Sequence, residues 1–138
     1  MKYRFLEHTA DVLFEAYGDS FGEAVENAAA AMFDVMCYPE RVDERIKFEV
    51  EEKANTLENL AVFTLSTILS ECEVRGVLPK RFEVKSFSKK NAEYRLQGVV
   101  YGGEWESSKV KKDVKAVTHH MVKVERDKKF RIRMLLDI

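Results

Sequence analysis

The chain has 138 residues, with 23 Lys and Arg against 24 Asp and Glu, and its formal net charge of -1 gives it no overall attraction to nucleic acid or to an anionic membrane. That length suits a single domain, residues 1–138, able to bury a core without disulfides or a structural metal. Cys37 and Cys72 lie far apart with no C-x-x-C spacing, which excludes a zinc knuckle and a redox motif and leaves two buried free thiols as the expectation.

In chain order, Lys2–Leu6 and Val12–Tyr17 are aromatic and β-branched runs that predict two strands. Between them, Leu6-Glu7-His8-Thr9-Ala10-Asp11 reads as a connection, because Thr9 and Asp11 are residues that bond their own backbone in turns. A turn alone has no need of His8, so this stretch is the first candidate for function. Ser20-Phe21-Gly22-Glu23 has the S-x-x-E form of a capping box and starts a helix. Phe21, Ala24, Val25, Ala28, Met32, Phe33 and Met36 then recur at three- and four-residue steps, which makes a core-facing stripe ending before Pro39.

Arg45–Glu51 alternates strictly, with Ile46, Phe48 and Val50 inward and charges outward, as a half-exposed strand does. Asn55-Thr56-Leu57-Glu58 starts a second helix, whose apolar face runs from Leu57 through Leu60, Ala61, Leu65, Ile68 and Leu69 to Cys72 before Gly76 and Pro79 stop it. Phe82–Phe87 and Tyr94–Tyr101 flank Lys89-Lys90-Asn91 and predict a hairpin. Gly102-Gly103 is expected to end its second strand, and Glu104–Lys112 to be a polar loop with an exposed Trp105 and the basic residues Lys109, Lys111 and Lys112. Val114–Val124 and Phe130–Leu136 are the last strands. Adjacent residues on a strand face opposite ways, so His119 and His120 cannot both ligate one ion without a bulge.

Strands that outnumber helices argue for an α+β domain, two helices on one face of a mixed or mostly antiparallel sheet. Phosphate-binding glycine loops and the G-x-S-x-G nucleophile elbow are absent. No apolar run approaches the roughly 18 residues of a membrane helix, so a soluble, cytoplasmic protein is expected. If the final strand lies beside the first ones, Asp137 and the free carboxylate of Ile138 converge with Asp11, and such clustered oxygens favour a hard cation such as Ca²⁺, Mg²⁺ or Mn²⁺. Read by themselves, these residues favour a frayed terminus instead.

His8-Thr9-Ala10-Asp11, the helix from Glu23-Ala24 to Met32-Phe33, Val114-Lys115-Ala116-Val117-Thr118 and Leu136-Asp137-Ile138, in that order, resemble the archease family nearly end to end. The resemblance implies an α+β fold and a non-enzymatic accessory protein of tRNA processing. Such a protein activates the GTP-dependent tRNA-splicing ligase, which joins a 3′-phosphate or 2′,3′-cyclic phosphate end to a 5′-hydroxyl. It also implies promotion of ligase guanylylation and multiple turnover, and a divalent metal, calcium in the isolated protein, on Asp11, Asp137 and Ile138. His8, Thr9 and Lys115 would then face the partner or support the metal ligands. Strong direct nucleic acid binding is not expected, since the charge is balanced and the basic run is short.

Three features depart from the family pattern, the first two being Asn55, where many members have an acidic residue, and the loop Trp105–Asp113, which lacks a histidine. Many members also have Thr-Tyr where this chain has Thr118-His119. The alternative function is a chaperone-like modulator of nucleic-acid-modifying enzymes such as tRNA methyltransferases. A stand-alone metal-dependent hydrolase is weaker, for want of a general base beyond His8.

Overall fold

The computed structural model describes residues 1–138 and places strands at both N-terminal runs, β1 (Tyr3–Leu6) and β2 (Val12–Gly18). Helix α1 (Phe21–Met36) starts at the expected cap: the Ser20 hydroxyl accepts from the Glu23 backbone N–H at 3.1 Å. The Glu23 carboxylate reaches back to the Asp19 N–H, one residue earlier than the standard box. After a single 3₁₀ turn at Pro39–Arg41 come β3 (Ile46–Ala54) and helix α2 (Leu57–Arg75). Thr56 caps the start of α2, and Gly76 ends it at φ 65, a left-handed conformation that costs glycine little.

The predicted hairpin is longer than its sequence pattern, with β4 (Val77–Lys90) paired to β5 (Glu93–Glu104). Pro79 lies inside β4, where its missing N–H is tolerated because β4 is an edge strand. Gly102-Gly103, expected to end β5, instead continues it: a Cβ on Gly102 would come within 2.3 Å of the Leu78 carbonyl oxygen, so glycine permits the close pairing. A second 3₁₀ turn, Ser107–Lys109, leads to β6 (Ala116–Arg126) and β7 (Phe130–Asp137).

The α+β class holds, with the strands divided between two antiparallel sheets, β1-β2-β7-β6 and β3-β5-β4. Each helix packs against strands of both sheets. The burial of α1 explains why one sheet is not enough. Besides the predicted stripe it buries Gly22, Ala29 and Ala31, a face too broad for a single contact surface. Small alanines let backbone approach from two sides, and one core cluster of 28 buried residues joins both helices to both sheets. Cys37 and Cys72 are free and buried, and burial pushes their thiols up to about 11 and about 12, so neither is a reactive thiolate at neutral pH. No helix is long and apolar enough to cross a membrane.

Candidate functional site

The β1–β2 connection is a tight turn. The Asp11 N–H donates to the Thr9 carbonyl at 2.9 Å across Ala10, whose φ of 72 is rare for a residue with a Cβ. A two-residue hydrogen bond over a positive φ is the strained form of the γ-turn. It leaves His8 and Thr9 exposed and Asp11 half-buried at the mouth of β2.

β2 pairs antiparallel with β7 from Val12 opposite Leu136 to Gly18 opposite Phe130. Extending that register by one residue brings the backbone of Asp11 level with Asp137. On its other side β7 pairs with β6, Ala116 opposite Asp137, and the Lys115 N–H donates to the Asp137 carbonyl at 2.7 Å. The C-terminal dipeptide is thus tied down rather than frayed: the Asp137 side chain is exposed, while Ile138 is half-buried and packs against the main core. Lys115 itself is exposed.

Neither Asp11 nor Asp137 makes an ion pair, and neither carboxylate accepts a hydrogen bond. Carboxylate oxygens without counter-charge are the donor type that hard divalent cations take. No three His, Cys, Asp or Glu side chains converge anywhere in the chain, so this corner has only two acidic side chains to offer. His119 and His120, which needed a bulge to act together, do lie in one: Thr118 faces Leu135 and Lys123 faces Arg133, so His119–Val122 oppose Met134 alone. Met121 there has φ 62, and His119 stacks edge-on against Phe63 of α2 at 5.7 Å.

A cleft of about 340 Å³ opens beside Asp11, with Phe5, Leu6, Val12 and Val35 on its apolar side and Asp34, Lys111 and Lys112 on its polar side. Lys111 donates both to the Asp34 carbonyl at 2.9 Å and to its carboxylate at 3.0 Å. Partial burial works against the Lys111 ammonium, but the bonded and neighbouring Asp34 carboxylate holds its pKa above the ordinary lysine value. Burial and the same carboxylate raise Tyr3. Lys109 and Lys111 of the basic run are thus tied into the fold. The Tyr38 N–H donates to the Lys109 carbonyl, the Lys111 N–H donates to the Met36 carbonyl, and Cys37 bridges Val110, which stitch the Trp105–Asp113 segment to the end of α1. Asp34 was missed by sequence reasoning. An acidic residue in the last turn of a helix opposes the macrodipole and is the signal that could have found it.

A second charged cluster lies on the face of the four-stranded sheet away from the helices. Glu15, buried at 7% exposure, accepts from Arg4 at 2.8 Å and from the Tyr17 hydroxyl at 3.1 Å, with Arg131 at 3.7 Å. Burial would raise its pKa, but the bonds from Arg4 and Tyr17 and the fields of Arg4 and Arg131 bring it below the usual carboxylate value. All four groups are engaged with one another.

Comparison with known proteins agrees with this architecture. The family described as the archease protein family (MTH1598/TM1083) matches residues 3–138. The chain is 37% identical to protein archease of Methanosarcina mazei over 127 residues, covering 91% of this chain and 87% of that one. It is 33% identical to protein archease of Pyrococcus furiosus over 127 residues, covering 91% and 89%. The solution structure of protein 1598 of Methanobacterium thermoautotrophicum superposes with a TM-score of 0.84 at 29% identity, covering 99% of each chain. An archease of Thermotoga maritima described as a possible chaperone shares the fold at a TM-score of 0.59 and 22% identity, covering 96% of this chain and 94% of that one.

Proposed function

The chain belongs to the archease family, and from that membership we propose that it is a non-enzymatic activator of the GTP-dependent tRNA-splicing ligase, working through a metal-bearing acidic corner. The observation that supports this reading is the β2–β7 register, whose end pair, Val12 opposite Leu136, lies one residue from both Asp11 and Asp137. Asp11, Asp137 and the Ile138 carboxylate would hold the divalent ion. When bound, the ion supplies positive charge and open coordination positions to an anionic partner group.

The protein's own part is to hold those oxygens ready. The γ-turn fixes Asp11, the Lys115 N–H fixes Asp137, and the burial of Ile138 anchors the terminus. Three protein ligands leave a six- to eight-coordinate ion incomplete, and the remaining positions fall to water or the partner. His8, Thr9 and Lys115, all exposed around this corner, are placed to meet the ligase. Ca²⁺ suits the isolated protein, with Mg²⁺ or Mn²⁺ as alternatives.

The test mixes the purified protein with its cognate ligase, GTP and Mn²⁺ and follows ligase guanylylation and repeated ligation. Substoichiometric protein is expected to stimulate both and to join no RNA alone. Stimulation of a tRNA methyltransferase but not of the ligase would favour the chaperone-like alternative. Ligation or GTP hydrolysis with the ligase absent would refute the accessory role.

A further inference from the structure

Two sheets present four edges, and three of them are blunted in the ways that sheets commonly use against edge pairing. β1 has only four residues. β6 is broken by the four-residue bulge at His119–Val122. β4 carries Pro79 and two register shifts, and the Val84 N–H is taken by the Glu26 carboxylate at 2.8 Å.

β3 is neither short nor interrupted, and the one guard it carries is its row of charges, Lys47, Glu49, Glu51 and Lys53. It runs nine residues in unbroken register with β5, without proline, glycine or bulge, and makes no backbone hydrogen bond on its other side. Its exposed face alternates Lys47, Glu49 and Glu51, and none of these three has an ion-pair partner in the chain. Unpaired backbone groups and unpaired charges therefore share one edge.

We propose that this edge takes the β3 strand of a second copy of the chain, antiparallel about a two-fold axis at Phe48. The charge pattern selects that register. Centred on Phe48, a β3–β3 pair sets Lys47 opposite Glu49 and Arg45 opposite Glu51, each twice, with Ile46 opposite Val50 on the inner face. Centred on Glu49, it keeps Lys47 opposite Glu51 but sets Glu49 against itself and Arg45 against Lys53, so its attractive pairs are offset by like-charged ones. Centred on Val50, it sets Lys47 against Lys53 and Glu49 against Glu51. Directly opposed opposite charges stabilise a strand pair and like charges destabilise it. Glu44 and Glu52, which the Phe48 register brings level, are already held by Arg81 and by the Thr67 hydroxyl. The pairing would join two three-stranded sheets into one of six strands. The buried area of a single strand pair is modest, so the association is concentration-dependent.

Sedimentation velocity of the full chain over a wide concentration range at low salt tests this, with hydrogen exchange of residues 46–54 read in parallel. A monomer–dimer equilibrium is expected, with slower exchange on β3 in the dimer. Lys47→Glu and Glu49→Lys should each weaken association by about tenfold or more, since each turns two attractive pairs repulsive. The double variant restores opposite charges across the axis and should recover the dimer, which a merely misfolded single variant would not do; circular dichroism checks the fold of all three. A monomer at millimolar concentration, single variants that dimerise as the parent does, or a double variant that fails to recover would each overturn the proposal.

Discussion

Asp11 and Asp137 each stand one residue beyond Val12 and Leu136, the pair that ends the β2–β7 ladder, and neither carboxylate has a counter-charge. A divalent cation held by both carboxylates would stabilise the folded chain. A ligand that binds only the folded state adds about 2.7 kcal/mol at a free concentration of roughly a hundred times its dissociation constant. Asp11→Asn and Asp137→Asn should therefore melt no lower than the parent in chelator, yet lose most of the rise that the parent shows with Ca²⁺ or Mn²⁺. A short C-terminal extension should weaken the response in the same way, because Ile138 would no longer carry a terminal carboxylate. Metal-induced melting shifts that are unchanged in both variants would show that the corner holds no ion.

Lys111 and Asp34 make the next prediction. The ammonium neutralises a carboxylate placed at the negative end of the α1 dipole and also satisfies the Asp34 carbonyl there. Lys111→Ala should cost about 1–2 kcal/mol by chemical denaturation, since both the charge pair and the capping bond are lost. In that background Asp34→Ala should recover part of the loss by removing the stranded carboxylate, so the double variant is more stable than the sum of the singles predicts. Strict additivity would mean that the two groups do not interact.

The local elements were legible because their signals are local. The S-x-x-E and Thr56 caps, the three- and four-residue apolar steps and the alternation of Ile46, Phe48 and Val50 each report the environment of a few neighbouring residues. Long-range pairing leaves no such mark. The continuation of β5 through Gly102 depends on the Leu78 carbonyl, which lies on another strand, and the bulge at His119–Val122 depends on the register of β7. The division into two sheets was hidden for the same reason: nothing in the α1 stripe says that Gly22, Ala29 and Ala31 are covered from a second side. At the site, Asp11 and Asp137 were raised from the sequence as residues that could converge and were singled out by the resemblance; the register puts each of them one residue beyond the paired Val12 and Leu136. Lys111 was visible only as part of a basic run and its partner Asp34 not at all, because the two are 77 positions apart and joined only by the fold.

Thr64 offers a test of the core. It is completely buried in α2, and its hydroxyl has no hydrogen-bond partner. A buried, unsatisfied hydroxyl carries a desolvation cost of about 1–3 kcal/mol, whereas valine has nearly the same shape without the polar atom. Thr64→Val should therefore stabilise the protein by about 1 kcal/mol, seen as a higher denaturation midpoint with an unchanged slope. A loss of stability would show that the hydroxyl does bond to something in solution, such as an internal water.

The last prediction follows from Glu15, whose carboxylate is buried yet held below the ordinary glutamate pKa by the bonds from Arg4 and Tyr17 and by the charge of Arg131. Its folded pKa is depressed relative to the unfolded chain, so the unfolded state binds its proton first as pH falls. Stability then decreases with falling pH, and the sign follows from linkage: the contribution is fully present above the unfolded value of about 4.5 and is lost as pH drops through the lower folded value. Glu15→Gln cannot ionise and lacks that dependence. At neutral pH it should be less stable than the parent by roughly 2 kcal/mol, the scale of hydrogen bonds to a charged group. Below pH 4.5 the two stabilities should converge as the parent carboxylate becomes neutral. Urea denaturation of both proteins at several pH values from neutrality into the acid range measures this directly. A difference that stays constant down to the lowest pH would mean that the Glu15 cluster acts through packing and not through its charge.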